Sequence, residues 1–340
     1  MLTLTNVIIC CCTRLVTDTM PVRGSMRSRG AAAFSIVTLR QISAVLPPER
    51  AWGLWTARQI VARVMDAFGP ALAGAQVERV DARMPDGRRV LGEWVRAAGV
   101  AFGESAVYFV HGSGYALCSP RTHRRLTSWL SRSTGLPVFV LDYRLAPRHR
   151  FPTAADDVRA GWDWLVDQHG LAPERVVIAG DSAGGHLAVD LLLQPDVTHP
   201  AAMVLMSPLV DLTFELARAR EELRRDPAIR VRDAKRLVRM YCAGTDVTHP
   251  RLALDVARGR QMPPTLIQVG GAEMLLADAR RLAADLCAAG GDCRLQVWPD
   301  QVHVFQALPR LTLEAAPAMR HIARFIAESL GDNAVDRQAG

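Results

Sequence analysis

The stretch RVVIAGDSAGGHLAVDLLLQ, residues 175–194, decides the fold. Residues 175–180 form a nearly continuous apolar, β-branched run ending in glycine, the pattern of a strand covered on both faces. Residues 183–194 carry small and apolar residues over a helical length. Between the two lies Gly180-Asp181-Ser182-Ala183-Gly184, a G-x-S-x-G pattern. A sharp strand-to-helix turn needs small residues on both sides and pushes the serine hydroxyl into the open. The helix N-terminus that follows favours negative charge developing at that hydroxyl. A glycine-rich turn with an idle serine is the bland alternative. Strand, turn and helix in this order point instead to a nucleophile at Ser182.

Outward from this stretch, short β-rich runs alternate with helical patterns from about residue 76. Strands are expected at 88–95, 105–112, 136–143, 175–180, 202–207, 265–270 and 293–298, and helices at 121–134, 153–168, 183–193, 275–289 and 312–330. Such alternation implies a mostly parallel sheet with helices on both faces. Two segments break the rhythm. Residues 38–68 read as helix only, with Ile60, Val61, Val64 and Met65 on a helical period, and 212–260 also lack a strand. An insertion there sits above the carboxyl ends of the strands, where ligands bind in doubly wound sheets. Together the two pieces read as a helical cap. The chain divides accordingly into a leader at 1–30, cap helices at 31–75, and a catalytic domain at 76–335 with its cap insertion at about 212–260.

A serine hydroxyl is a weak nucleophile and needs a base oriented by an acid. After a strand–elbow–helix of this kind the order along the chain is serine, acid, histidine. Four histidines follow the elbow helix: His199, His249, His303 and His321. The first two precede prolines in loop-like sequence, and His321 lies in the last helical pattern. His303 follows the strand RLQVW in the loop PDQVHVF, where it can reach over the strand ends. The acid belongs just past the strand TLIQVG, and two residues compete: Glu273, close to the strand end, and Asp278, further on and inside a helix.

The tetrahedral oxyanion of acyl transfer needs preorganised N–H donors. One is expected from Ala183, the residue after the nucleophile. The others belong to the loop His111-Gly112-Ser113-Gly114-Tyr115, whose small side chains let backbone approach a substrate; it directly follows the strand run YFV.

Four segments carry a resemblance: HGSGY at 111–115, DYRLAP at 142–147, GDSAGG at 180–185 and the loop around His303. On these, over roughly residues 45–330, the chain resembles the hormone-sensitive-lipase family of bacterial esterases, which has the α/β-hydrolase fold. The resemblance implies an eight-stranded sheet, a helical cap, and hydrolysis of short- to medium-chain carboxylic esters without metal or organic cofactor. It implies Ser182 as nucleophile, His303 as base and Glu273 as orienting acid, with Asp278 the alternative. The N–H groups of Ser113, Gly114 and Ala183 then form the oxyanion hole, supported by His111, Gly112, Tyr115 and Asp181. Two departures stand out: Ser113 replaces the middle glycine of the motif, and the acid is glutamate where the family more often has aspartate. A lactone or acetyl-ester hydrolase, a long-chain lipase and a non-catalytic ligand receptor are the other readings of the same scaffold. The receptor reading is disfavoured because serine, histidine and a carboxylate are all present.

Composition excludes several classes. The formal charge of +7 comes from forty arginines and one lysine, Lys235, against 34 acids, and no basic nucleic-acid motif accompanies it. Arginine with so little lysine is what GC-rich coding produces. The seven cysteines include the run Cys10-Cys11-Cys12 and show neither a disulfide framework nor metal-ligand spacing. A reducing, cytoplasmic setting follows, with peripheral contact with the cell envelope left open. No apolar run approaches the roughly 20 residues that span a bilayer. Residues 1–30 read as a poorly ordered leader, an extension upstream of Met20 or Met26. The partner is a small-molecule ester, and the family resemblance allows a homodimer along the eighth strand or last helix.

Overall fold

The computed structural model describes residues 15–17, 23–37, 40–41, 45–112 and 114–331. Its centre is one sheet of nine strands: β1 (Leu15–Thr17), β2 (Gln76–Arg83), β3 (Arg89–Arg96), β4 (Ala106–Val110), β5 (Val138–Leu141), β6 (Val176–Asp181), β7 (Ala202–Met206), β8 (Thr265–Gly270) and β9 (Cys293–Trp298). The spatial order is β1-β9-β8-β7-β6-β4-β5-β3-β2. Pairing is parallel except where β3 meets β2 and β5. Strands β3 to β9 fall in the seven stretches expected as strands, and β2 completes the eight that the resemblance implies; this is the α/β-hydrolase architecture.

The apolar runs become central strands because both faces are covered. Successive side chains of β4 and β6 point to opposite sides. Tyr108, Val110, Val176 and Ile178 enter one core, and Val107, Phe109, Val177 and Ala179 the other. Helices α4 (Thr153–Asp163), α5 (Ala183–Leu193) and α8 (Leu276–Ala288) supply the first core through residues such as Val158, Leu187 and Leu282. Helices α3 (Pro120–Thr134) and α9 (Ala315–Leu330) supply the second through Leu126, Leu130, Ile322 and Phe325. The start and stop of α3 are written locally. Ser119 and Thr122 form a capping box, Pro120 takes the first turn, and Gly135 ends the helix at φ +73°.

The N-terminal part differs from the expectation of a poorly ordered leader through residue 30. Leu15–Thr17 pairs in parallel with Cys293–Leu295, which would otherwise be an open edge. Helix α1 (Met26–Val37) begins inside the expected leader. It is tied to the far end of the chain, because the backbone N–H and hydroxyl of Ser25 and the hydroxyl of Ser28 all donate to Glu314. These partners lie nearly 300 positions away, so no local pattern announces them. Residues 1–14 and 18–22, including the cysteine run, lie outside the described residues.

The two segments without strands fold as helices. Helix α2 (Ala51–Phe68) follows α1, and the insertion holds α6 (Glu215–Leu223) and α7 (Val231–Cys242). They meet: Arg236 of α7 donates two hydrogen bonds to Glu49, and Arg40 reaches the backbone oxygens of Asp226 and Ile229. No helix among the described residues is long and apolar enough to cross a membrane.

Candidate active site

At the carboxyl end of β6 the backbone turns sharply into α5 through Ser182, whose φ of +51° and ψ of −120° lie outside the ordinary regions for a side-chain-bearing residue. Such a conformation costs on the order of 1–3 kcal/mol and persists only when neighbours over-determine it. Three hydrogen bonds do so. The Ser182 N–H donates to Met206 O at 3.0 Å, and its carbonyl accepts from Gly185 and Leu209, each at 3.0 Å. The flanking glycines are sterically required. A Cβ on Gly184 would lie 2.0 Å from Val110 O, and one on Gly180 would lie 2.8 Å from Gly184 O.

Beyond β6 the sheet continues through β7, β8 and β9, and the loops after β8 and β9 deliver the next two candidates. Glu273, in the turn after β8, is buried. Its Oε2 lies 2.7 Å from His303 Nδ1, and because a carboxylate only accepts, that nitrogen carries the proton. Glu273 Oε1 accepts from the Ser207 hydroxyl at 2.7 Å and from the Gly270 N–H. His303 lines a cavity of about 340 Å³ together with Ser182. Burial alone would lower its pKa, but the hydrogen bond and charge of Glu273, with the charges of Asp226 and Asp181, outweigh burial and raise it.

The competing acid goes elsewhere. Asp278 lies in the first turn of α8 and accepts the N–H groups of Val210 and Asp211 at 3.0 and 2.9 Å. Burial pushes its pKa up to about 7. The other three histidines are also occupied away from the cavity. The ring of His199 meets Leu192 O, that of His249 accepts the Arg251 N–H, and that of His321 pairs with the Gln296 amide.

The loop after β4 is bound to the elbow. The Gly112 N–H donates to Asp181 Oδ1 at 2.8 Å, and a Cβ at Gly112 would fall 2.2 Å from that carboxylate. Asp181 also faces His123 Nε2 at 3.3 Å. Its burial would raise its pKa, yet His123, the Gly112 N–H and His111 together hold it below the usual carboxylate value. His111 is fully enclosed. Burial, reinforced by the neighbouring His123, pushes its pKa down to about 3, so the ring is neutral. It stacks on Tyr143 at 4.2 Å, and the Tyr143 hydroxyl donates to the His111 carbonyl at 2.7 Å. The segment DYRLAP thus braces HGSGY. Tyr115 is buried and stacks on Tyr241 of α7 at 4.0 Å. Gly114 lines the cavity at φ +55°, Ala183 opens α5, and Ser113 lies outside the described residues.

Three contributors escape a reading of the sequence. Ser207, just past β7 at φ +51°, donates to Glu273 and accepts the Val304 N–H at 3.2 Å, bridging the acid to the histidine loop. Asp226, fully buried between α6 and α7, accepts from the Ala228, Ile229 and Met274 N–H groups, so the insertion holds the residue next to Glu273. Leu237 of α7 packs on Gly114; a Cβ there would be 3.3 Å from it. None of the three belongs to a motif, and each depends on a contact made only after folding.

Apolar side chains dominate the cavity. Val61, Val64 and Met65 of α2 face Phe214, Ile229 and Leu237 of the insertion across the candidate residues. The arrangement can hold an apolar group beside a serine at a strained turn and a histidine paired with a buried carboxylate.

Comparison with known proteins agrees with this architecture. The family described as alpha/beta hydrolase fold matches residues 107–307. Esterase LipU of Mycobacterium tuberculosis is 39% identical over 250 residues, covering 70% of this chain and 83% of LipU. An acetyl-hydrolase of Streptomyces hygroscopicus is 37% identical over 243 residues, covering 71% and 80%. The crystal structure of an esterase from the bacterial hormone-sensitive lipase family superposes with a TM-score of 0.77 at 32% identity, covering 89% of this chain and 99% of that one. The chain belongs to the alpha/beta-hydrolase family, within the hormone-sensitive-lipase group of bacterial esterases.

Proposed function

We propose that this carboxylic ester hydrolase acts on short- to medium-chain esters through a Ser182–His303–Glu273 triad and an acyl-enzyme intermediate. The observation that carries the reading is the Glu273–His303 hydrogen bond of 2.7 Å beside a cavity that Ser182 also lines. With Nδ1 engaged by Glu273, Nε2 is the nitrogen left to take the serine proton. As Oγ attacks the ester carbonyl, His303 becomes imidazolium and Glu273 stabilises it. The oxyanion falls to the N–H groups of Ser113, Gly114 and Ala183, each such donor being worth about 10²–10³ in turnover. His303 then protonates the leaving alcohol and activates water for deacylation.

A medium acyl chain fits an apolar cavity of about 340 Å³ bounded by α2 and the cap insertion. The acetyl-hydrolase relative favours the short end of the range. A series of p-nitrophenyl esters from acetate to palmitate tests this. The expected result is a kcat/KM maximum at or below octanoate, with palmitate at least about tenfold lower, since each methylene left outside an apolar site forfeits about 0.8 kcal/mol of burial. A maximum at palmitate overturns the chain-length assignment and leaves the triad standing.

The pH profile follows from His303. The base works only as neutral imidazole, and its surroundings raise its pKa. Turnover should therefore fall as pH drops through a midpoint above about 6.5, the ordinary histidine value. A kcat/KM profile on a neutral ester measures that midpoint, and an acid limb well below the ordinary value contradicts His303 as the base.

A further inference from the structure

The N-terminal segment that lines the cavity on one side carries unusual surface on the other. Six of the eleven exposed large apolar side chains among the described residues fall within residues 26–55: Met26, Phe34, Ile36, Val45, Trp52 and Trp55. Trp52 and Trp55 are 55% and 63% exposed, an unusual state for a residue whose large ring is ordinarily buried or set in an interface. Along the chain these residues adjoin the cavity lining. Phe34 and Ile36 bracket Ser35, Val45 precedes Leu46, and Trp55 is two positions before Ala57; Ser35, Leu46 and Ala57 are cavity-lining residues. Helical geometry separates the two faces of α2. Ile60, Val61 and Val64 face the cavity, and Trp52 and Trp55 fall on the opposite side of the same helix.

Charge selects the occupant. Residues 23–63 contain seven arginines and a single acid, Glu49. Arg23, Arg27, Arg29, Arg50 and Arg63 are exposed. Glu49 is already neutralised by Arg236, and Asp66 one turn beyond pairs with Arg125 at 3.5 Å. A second copy meeting this face across a two-fold axis would set arginine against arginine. An anionic lipid surface meets it with opposite charge, and tryptophan with arginine is the composition that lodges at a bilayer boundary.

We propose that the outer face of α2, with Trp52, Trp55 and Arg63 and with Arg50 at its start, docks this protein on anionic lipid surfaces, bringing the helix that walls the cavity to the boundary between lipid and water. Apolar esters would then enter from the lipid phase rather than from dilute solution. The docking stands independently of the acyl-chain assignment, since it concerns residues outside the cavity.

The test uses the full chain and sedimentation with vesicles of phosphatidylcholine alone or with about one-third phosphatidylglycerol. Binding is expected only to the anionic vesicles and should weaken as salt screens the charges. Trp52→Ser with Trp55→Ser should lower the bound fraction about tenfold, and Arg50→Gln with Arg63→Gln at least about threefold. Both variants should hydrolyse soluble p-nitrophenyl acetate within about twofold of the parent, which shows that they fold. Absence of binding to anionic vesicles, or unchanged binding by the tryptophan variant, overturns the proposal. So does a solution dimer that the tryptophan changes dissociate while no lipid is bound, because that assigns the patch to a second copy.

Discussion

Ser182→Ala is expected to lower ester turnover by about 10³-fold or more while leaving the protein folded. The change removes one oxygen from a half-buried side chain at the end of β6 and leaves every backbone contact of the turn in place. Alanine and serine share the same backbone strain at φ +51°, so the elbow is not relaxed or further burdened. Without the hydroxyl no acyl-enzyme forms, and residual hydrolysis falls to whatever the oxyanion donors contribute to direct attack by water. Because triad members act as a unit, adding Glu273→Gln to Ser182→Ala should cost almost nothing further. Steady-state rates on p-nitrophenyl butyrate, with circular dichroism as the folding check, decide the matter. Turnover near the parent level in Ser182→Ala would remove this serine from the mechanism.

The second large effect is expected at the acid. Glu273→Gln keeps shape and volume but replaces the charge that raises the pKa of His303, and turnover should fall about 10³- to 10⁴-fold, the scale seen when a triad acid becomes an amide. The amide also mismatches its surroundings. Oε1 now accepts from Ser207 and from the Gly270 N–H while Oε2 accepts from His303 Nδ1–H, and an NH₂ group in either place faces a donor. Asp278→Asn is the control. Asp278 accepts the Val210 and Asp211 N–H groups through Oδ1 alone, which an asparagine oxygen can replace, so a loss of about tenfold or less is expected. Measured side by side, a crippled Asp278→Asn and a mild Glu273→Gln would reverse the acid assignment and leave Ser182 and His303 untouched.

These expectations rest on features that differ in how visible they were in the sequence. The elbow was legible because its determinants are local. A buried strand, glycines at 180 and 184 and an apolar helix all lie within residues 175–194, and the close approach of Gly184 to Val110 follows from the sharpness of that turn. The central strands were legible for a similar reason, since burial on both faces leaves a continuous apolar run. Strand β2 was not among the expected strands. Gln76–Arg83 is exposed along most of its length, and what makes it a strand is its eight-residue ladder with β3, not burial of its own side chains. The folded part of residues 15–30 was missed because its partners, β9 and Glu314, lie at the other end of the chain.

The candidate site divides along the same line. The sequence by itself determined a mostly parallel α/β sheet, a serine at a sharp strand-to-helix turn, a histidine in a loop after a later strand, and two competing carboxylates, one near a strand end and one inside the helix that follows. It left the choice between Glu273 and Asp278 to spacing alone. Only the tertiary structure gives the two their different partners, by seating β8 beside β7 so that Glu273 meets Ser207 and His303 while the first turn of α8 carries Asp278 to the Val210–Asp211 backbone. The same holds for Asp226 and Leu237, which reach the site from the insertion. The reason is geometric. Periodicity and small-residue spacing record what a segment does within a few turns of itself, whereas hydrogen bonds between side chains from different strands depend on ångström distances fixed by the sheet order and the packing of the cap.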